Sequence, residues 1–214
     1  MTDSFSITNP AIHAYLDRVR PPSDEILREM EEHAEARKFP YLGPQCARIL
    51  HALVKMSGAR SIFELGSGFG YTMYWMAKAL PARGMVVGTE GDPTNVAAAK
   101  EYFRRGGLSN RTDLRCGDAL GYLRAEPGPF DMIYCDIDKE GYPDALDLAK
   151  PRLRPGGIFV ADNLLRSGQV LNDVSRETAT VAIQEFTRRL YADPDFFTVI
   201  IPIRDGMSIS VKAG

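Results

Sequence analysis

The chain has 214 residues, 44% of them hydrophobic and 25% charged, with a formal net charge of −2. That balance suits a water-soluble domain, and a chain of this length buries roughly 70% of its unfolded surface. It excludes the broad basic field of a general nucleic-acid binder, and no stretch approaches the ~20 apolar residues of a membrane span.

Met1–Pro10 carries no basic region followed by an apolar run, so no leader is expected there. Pro10–Val19 reads as a short helix ended by Pro21-Pro22. Ser23 is the expected cap of a second helix running to about Lys38, with Asp24 and Glu25 in its first turn, where acids suit the helix dipole. Its charged character suggests a surface lid or packing element. A third helix, about Gln45 to Ser57, has Ile49, Leu50, Leu53 and Val54 at helical spacing, and Gly58 stops it.

From Ser61 the pattern alternates. Strands are expected at 61–65, 85–90, 112–116, 131–136 and 157–161, and helices near 71–80, 93–106, 118–124, 142–150 and 175–192. Strand and helix in turn mean an α/β fold with a parallel sheet. Phe197–Ile203, Arg204-Asp205-Gly206 and Met207–Lys212 read as a closing hairpin. The whole is expected to be one domain, with helices over 1–58 and the sheet over 59–214. Cys46, Cys116 and Cys135 are odd in number and lack metal-type spacing. They read as buried free thiols of a reducing cytoplasm.

Two strand ends carry candidate chemistry. Ligands in open α/β sheets bind at the carboxyl ends of strands. Asp136-Ile137-Asp138-Lys139 follows one apolar run and Asp162-Asn163 the next. Asp136, Asp162 and Asn163 are oxygen donors without a histidine or cysteine, which favours a hard cation such as magnesium. Manganese and calcium are the alternatives. A cation there lowers the proton affinity of a substrate hydroxyl, and it favours a neutral Lys139 as base. Asp138 receives no role.

Upstream, Glu64-Leu-Gly66-Ser-Gly68-Phe-Gly70 lies where the first strand meets its helix. Glycines there let backbone approach a ligand closely. The third glycine comes one residue too early for a dinucleotide fingerprint, which argues against a dehydrogenase. Glu64 suits a ligand bearing an ammonium and a sulfonium. Thr72 can hold a carboxylate at a helix start, and Glu90 can accept ribose hydroxyls. Asp118 can reach an adenine amine or cap a helix, and Ala119 can offer backbone contact. His13, His33 and His51 read as surface or packing residues, Met73, Trp75 and Met76 as core, and Arg104-Arg105 as a helix end.

Together, Glu64-Leu-Gly-Ser-Gly-Phe-Gly-Tyr-Thr72, Gly117-Asp-Ala119, Asp136-x-Asp-Lys139-x-x-Tyr142, Leu153-Arg-Pro-Gly-Gly157, Asp162-Asn163 and Asp205-Gly206 make the chain resemble the cation-dependent class I O-methyltransferases of the caffeoyl-CoA and catechol type, in their bacterial branch. The resemblance runs from about Leu42 to the C-terminus. It implies a Rossmann-like, seven-stranded, mostly parallel sheet with a C-terminal antiparallel hairpin and N-terminal helices. It implies S-adenosylmethionine (SAM) as methyl donor and a homodimer. By position, Asp136, Asp162 and Asn163 are the implied metal ligands, with Lys139 and Asp136 catalytic. Leu42, Glu64, Gly66, Ser67, Gly68, Thr72, Glu90, Asp118, Ala119 and Asp136 are the implied cofactor contacts.

The expected acceptor is a small catechol-like or phenolic hydroxyl. The alternatives are 5-hydroxyuridine in tRNA, which one bacterial subgroup methylates, and a SAM-binding module without turnover. Two departures bear on the acceptor. Arg166 stands where the family commonly has an aromatic, and Arg204 where a glycine usually precedes Asp205-Gly206. Arg166, with Lys139, is a candidate substrate contact able to pair with a carboxylate or phosphate.

Overall fold

The computed structural model describes residues 9–214, so the reading of Met1–Thr8 lies outside the described residues. The chain divides into two compact units, Arg20–Tyr122, and the described residues up to Val19 with Leu123–Gly214.

In the first unit, α2 (Glu25–Arg37) and α3 (Gly43–Ser57) precede β1 (Ser61–Leu65), α4 (Tyr71–Ala79), β2 (Met85–Glu90), α5 (Pro93–Arg105) and β3 (Thr112–Cys116). The three strands run parallel in the order β3-β2-β1, with Ser61 beside Met85 and Val86 beside Thr112. Ile62, Phe63, Glu64 and Leu65 are all buried, which is why β1 reads as a continuous run and not an alternating one. Asp24, not Ser23, caps α2: its side chain accepts from Leu27 N at 2.9 Å. Ser23 instead donates to Glu31 at 2.8 Å, an acceptor eight residues away that no local pattern signals. Gly58 ends α3 with φ 65, in the left-handed region where glycine carries no Cβ penalty.

Helix α6 (Ala119–Ala125) carries the chain into the second unit, which holds α1 (Pro10–Val19), β4 (Phe130–Cys135), α7 (Tyr142–Arg152), β5 (Leu153–Ala161), α8 (Thr178–Ala192), β6 (Phe196–Ile201) and β7 (Met207–Lys212). Here β4 and β5 are parallel, while β5–β7 and β6–β7 are antiparallel, in the order β4-β5-β7-β6. The expected closing hairpin is present, and the seven strands belong to one mixed sheet.

Two element starts move by three residues or more. β5 begins at Leu153, four residues early, with a register shift against β4 between Phe130 and Met132. α8 begins at Thr178, not 175, because the Glu177 side chain caps it by accepting from Thr180 N at 3.2 Å. Cys46 and Cys135 are buried thiols, but Cys116 is exposed at the end of edge strand β3, against expectation. Met73, Trp75 and Met76 are core. Among the described residues no helix is long and apolar enough to cross a membrane.

Candidate active site

The glycine loop sits at the carboxyl end of β1, and its backbone is shaped by left-handed turns at Gly66 (φ 82), Gly68 (φ 51) and Gly70 (φ 85). A Cβ on Gly70 would stand 2.8 Å from the Ala99 Cβ, so the loop lies tight against α5. Glu64 is fully buried. Ser67 Oγ donates to its Oε2 at 3.0 Å and Thr72 Oγ1 donates to its Oε1. Glu64 therefore acts within the loop, fixing the two hydroxyl residues that flank the α4 start. Glu90, at the end of β2, accepts from Gly68 N at 2.9 Å and from Asp92 N at 2.9 Å. Its carboxylate thus ties the loop to the turn after β2.

Asp118 accepts from Gly121 N at 2.8 Å, the capping geometry that its motif left open. Ala119 opens α6, and Leu42 is buried at the start of α3. Phe39 lies over the loop, 3.1 Å from where a Gly68 Cβ would be, and packs edge-on against Phe69 at 5.3 Å. His33 stacks on Phe69 and contacts Tyr102 at 3.1 Å, and His51 contacts Trp75 O at 3.2 Å, so both serve packing.

The second group of residues lies in the second unit. Cys135 and Ala161 are register partners, so Asp136 and Asp162 leave neighbouring strands at the same level, and Asp162 N donates to Cys135 O at 3.2 Å. Lys139 Nζ donates to Asp136 Oδ1 at 2.9 Å, to Ile137 O at 3.1 Å and to the Tyr142 hydroxyl at 3.0 Å. An ammonium has three hydrogens, and all three are used. Tyr142, fully buried, donates its own hydroxyl hydrogen bond to Asp162 O at 2.9 Å. Burial above all, then the neighbouring negative charges of which Asp136 is the largest, holds its phenol well above the ordinary value.

Asp162 is 6% exposed, and its Oδ1 is buried without a hydrogen-bond donor. Burial first, then the Asp136 carboxylate, pushes Asp162 up to about 7, against the Asn163 backbone N–H and the positive charges of Lys139 and Arg204. Asn163 adopts φ 62, a left-handed turn that asparagine tolerates, and its Nδ2 donates to Asp205 Oδ2 at 3.4 Å. The turn is stitched to the β6–β7 connection: Leu164 N donates to Gly206 O at 3.0 Å and Leu165 N to Asp205 O at 2.8 Å. A Cβ on Gly206 would fall 2.5 Å from Leu165 Cγ. Arg204 has φ 49, a conformation that glycine adopts without strain.

Among the described residues no three His, Cys, Asp or Glu side chains form a metal-holding group. The donor set is instead two carboxylates and an amide, all hard oxygen donors. An orphaned, buried carboxylate oxygen beside a second carboxylate is the electrostatic setting that a divalent cation relieves, so the residues fit one.

Three neighbours of this cluster went unassigned in the sequence: Tyr142, Asp205 and Arg204. The i, i+3 spacing of Lys139 and Tyr142 was a usable signal for the first. Asp205 and Arg204 arrive from a hairpin more than forty residues away, and only the fold brings them in. Arg166 is not free: its Nη2 donates to Gln169 Oε1 at 3.1 Å and also pairs with Glu177.

A family model described as O-methyltransferase matches residues 20–213. The chain is 34% identical over 210 residues to a catechol O-methyltransferase of Niastella koreensis, covering 93% of this chain and 95% of that one. It also resembles the solved O-methyltransferase from Bacillus cereus in complex with SAH, at a TM-score of 0.87 and 29% identity over 94% of this chain and 97% of that one. A third relative is the O-methyltransferase TomG from Streptomyces achromogenes in complex with SAM, at a TM-score of 0.88 and 25% identity over 95% and 97% of the two chains. With its seven-stranded mixed sheet, Rossmann-like methyltransferase fold and near full-length match, the chain belongs to the O-methyltransferase family.

Proposed function

We propose that this enzyme transfers a methyl group from SAM to a hydroxyl of a small catechol-like or phenolic molecule, and that it requires a divalent cation, magnesium first. The observation that carries the reading is Asp162: a buried carboxylate oxygen without a donor, set beside Asp136 and Asn163. The relatives named as catechol O-methyltransferase and the SAM- and SAH-bound structures support the donor and the acceptor class.

Asp136, Asp162 and Asn163 would hold the cation, which when bound would supply Lewis acidity toward the substrate hydroxyl. The chain's own residues do the rest. Glu64 orients Ser67 and Thr72, and with Leu42, Gly66, Gly68, Glu90, Asp118 and Ala119 they form the SAM site. Asp136 serves both the cation and Lys139. Lys139 Nζ, pinned by Asp136 and Tyr142, would receive or direct the hydroxyl proton as a neutral amine, keeping two of the three donor contacts it makes as an ammonium. Because the donor arrives activated, alignment supplies much of the rate, and well-oriented reactants gain ~7–11 kcal/mol.

The test is methyl transfer from labelled SAM, with and without a chelator, to a panel of catechols and to tRNA bearing 5-hydroxyuridine. Cation-dependent labelling of catechols is expected. Labelling of RNA alone overturns the acceptor class, and Arg104 and Arg105, paired with Glu101 and Glu29, lend RNA binding no support. SAH binding without transfer to any acceptor would reduce the protein to a binding module.

We also assign a homodimer and a cytoplasmic site of action, the latter in keeping with three free thiols. The dimer is supported by α1, whose Ile12, Tyr15, Leu16 and Val19 form one apolar stripe, 41–54% exposed. A groove of about 550 Å³, with Leu164, Leu165, Val170, Val181 and Ile200 on its apolar side and Glu185 and Arg188 among its polar lining, offers a second copy a mixed seat. Light scattering at micromolar concentration reads the mass directly, and a monomer there removes the assignment.

A further inference from the structure

We infer that Arg166 selects acceptors carrying a carboxylate, taking that group in exchange for Glu177; the inference rests on the proposed phenolic methyl transfer. Arg166 lies three residues beyond Asn163, in the turn that leaves the acidic cluster. The turn is fixed: Asp205 accepts from Asn163 Nδ2 at 3.4 Å through Oδ2 and from Ser167 N at 2.5 Å through Oδ1. One carboxylate therefore sets the spacing between the candidate metal ligand and the base of the arginine side chain. The φ of 48 at Arg166 and 51 at Ser167 put both residues in the left-handed region, a conformation that most side chains avoid and that the Asp205 contact supports.

The guanidinium stands among acids that already have donors. Glu177 is held by Thr180 N and Thr180 Oγ1, and Glu140, next to Lys139, accepts from Thr178 Oγ1 at 2.9 Å. Arg166 is the incompletely satisfied member of this group. Its two side-chain contacts, to Gln169 and Glu177, both use Nη2, while Nε is buried with no acceptor. The group short of a partner is thus a donor, and a ligand that completes it must bring an acceptor and displace Glu177 to reach the buried Nε. Arginine binds carboxylates best through two parallel N–H donors, and Glu177 engages one nitrogen. The exchange is cheap on the protein side, because the Glu177 side chain is 50% exposed and the Arg166 side chain 21%. An ion pair with so exposed a partner contributes little.

The experiment is calorimetry on the full chain with magnesium and SAH present, titrating 3,4-dihydroxybenzoate and, separately, catechol. Wild type is expected to bind the acid more tightly than catechol. Arg166→Gln should reduce that preference ~tenfold or more, the scale of a lost charge-assisted hydrogen bond. Arg166→Lys, which keeps the charge without the fork, should fall between them. Glu177→Gln should move the preference the other way, toward the acid, because it weakens the internal competitor while keeping an acceptor for Thr180. Equal losses for both ligands in Arg166→Gln, or no opposite movement in Glu177→Gln, overturn the inference and leave Arg166 a loop strut. Tighter binding of catechol than of the acid by wild type also overturns it. Turnover on the same ligands reads the proposed function separately: methylation of catechol without acid preference sinks only the selectivity, whereas acid-selective binding without methylation of any ligand sinks only the transfer.

Discussion

The glycine loop and the acidic cluster are built alike, each from a strand end and the turn after it, yet one is complete in itself and the other is not. In the loop, both oxygens of Glu64 and both of Glu90 have donors from residues nearby. In the cluster, Asp162 Oδ1 is buried without a donor while Asp136 presses a second negative charge on it. Buried polar groups are nearly always paired, and an exception calls for a reason. A region satisfied internally is a rigid receptor whose ligand brings its own charge. A region with surplus buried negative charge is, on the proposed reading, balanced by a bound cation.

The largest effect should come from Lys139, which together with Arg204 offsets that surplus. Lys139→Ala removes the proposed proton acceptor and the three hydrogen bonds that hold it. We expect turnover to fall ~10²–10⁴-fold, the range of a lost general base, while SAH affinity measured by calorimetry stays near wild type. Full turnover in this variant removes Lys139 from the chemistry. The next effect belongs to the completed region. Glu64→Ala leaves the Ser67 and Thr72 hydroxyls, 5% and 7% exposed as residues, without their acceptor. A buried unsatisfied group costs ~1–3 kcal/mol, so urea unfolding should shift by that amount and SAH binding should weaken with it. An unchanged midpoint would show that the loop is not internally braced.

Most of this contrast was legible in the chain itself, and the exceptions share a cause. Apolar runs closed by Asp136 and Asp162 marked strand ends because burial on both faces demands continuous apolar sequence. Left-handed glycines marked the loop because a Cβ is penalised there. The residues misread or passed over depend on partners far along the chain. Ser23 resembles a cap but serves Glu31. Cys116 resembles a core residue by its strand, yet its strand is an edge. Asp205 carries no local signal of its link to Asn163. Tyr142 was visible as part of a motif, but its role as the bridge between Lys139 and the Asp162 backbone needs the register of β4 against β5.

The smallest predicted effect concerns pH, and it bears most directly on the difference between the two regions. In the unfolded chain the Asp162 carboxyl ionises near its ordinary value of 3.8, whereas in the folded protein it keeps its proton to about 7. Between those values the native state binds the extra proton, so stability is fully present below 3.8 and is lost as pH rises through 7. The slope cannot exceed about 1.4 kcal/mol per pH unit for one group. Other groups titrate nearby, among them His51, which burial holds below its usual value, so the informative quantity is wild type minus Asp162→Asn. In chelator, that difference should decline as pH rises from 6 to 7. Magnesium bound as proposed would compete with the proton for the same oxygen. Its stabilisation of wild type should therefore grow with pH, and Asp162→Asn should lose most of it. Parallel stability curves for the two proteins, with and without magnesium, would mean that the cluster is balanced from within, as the glycine loop is.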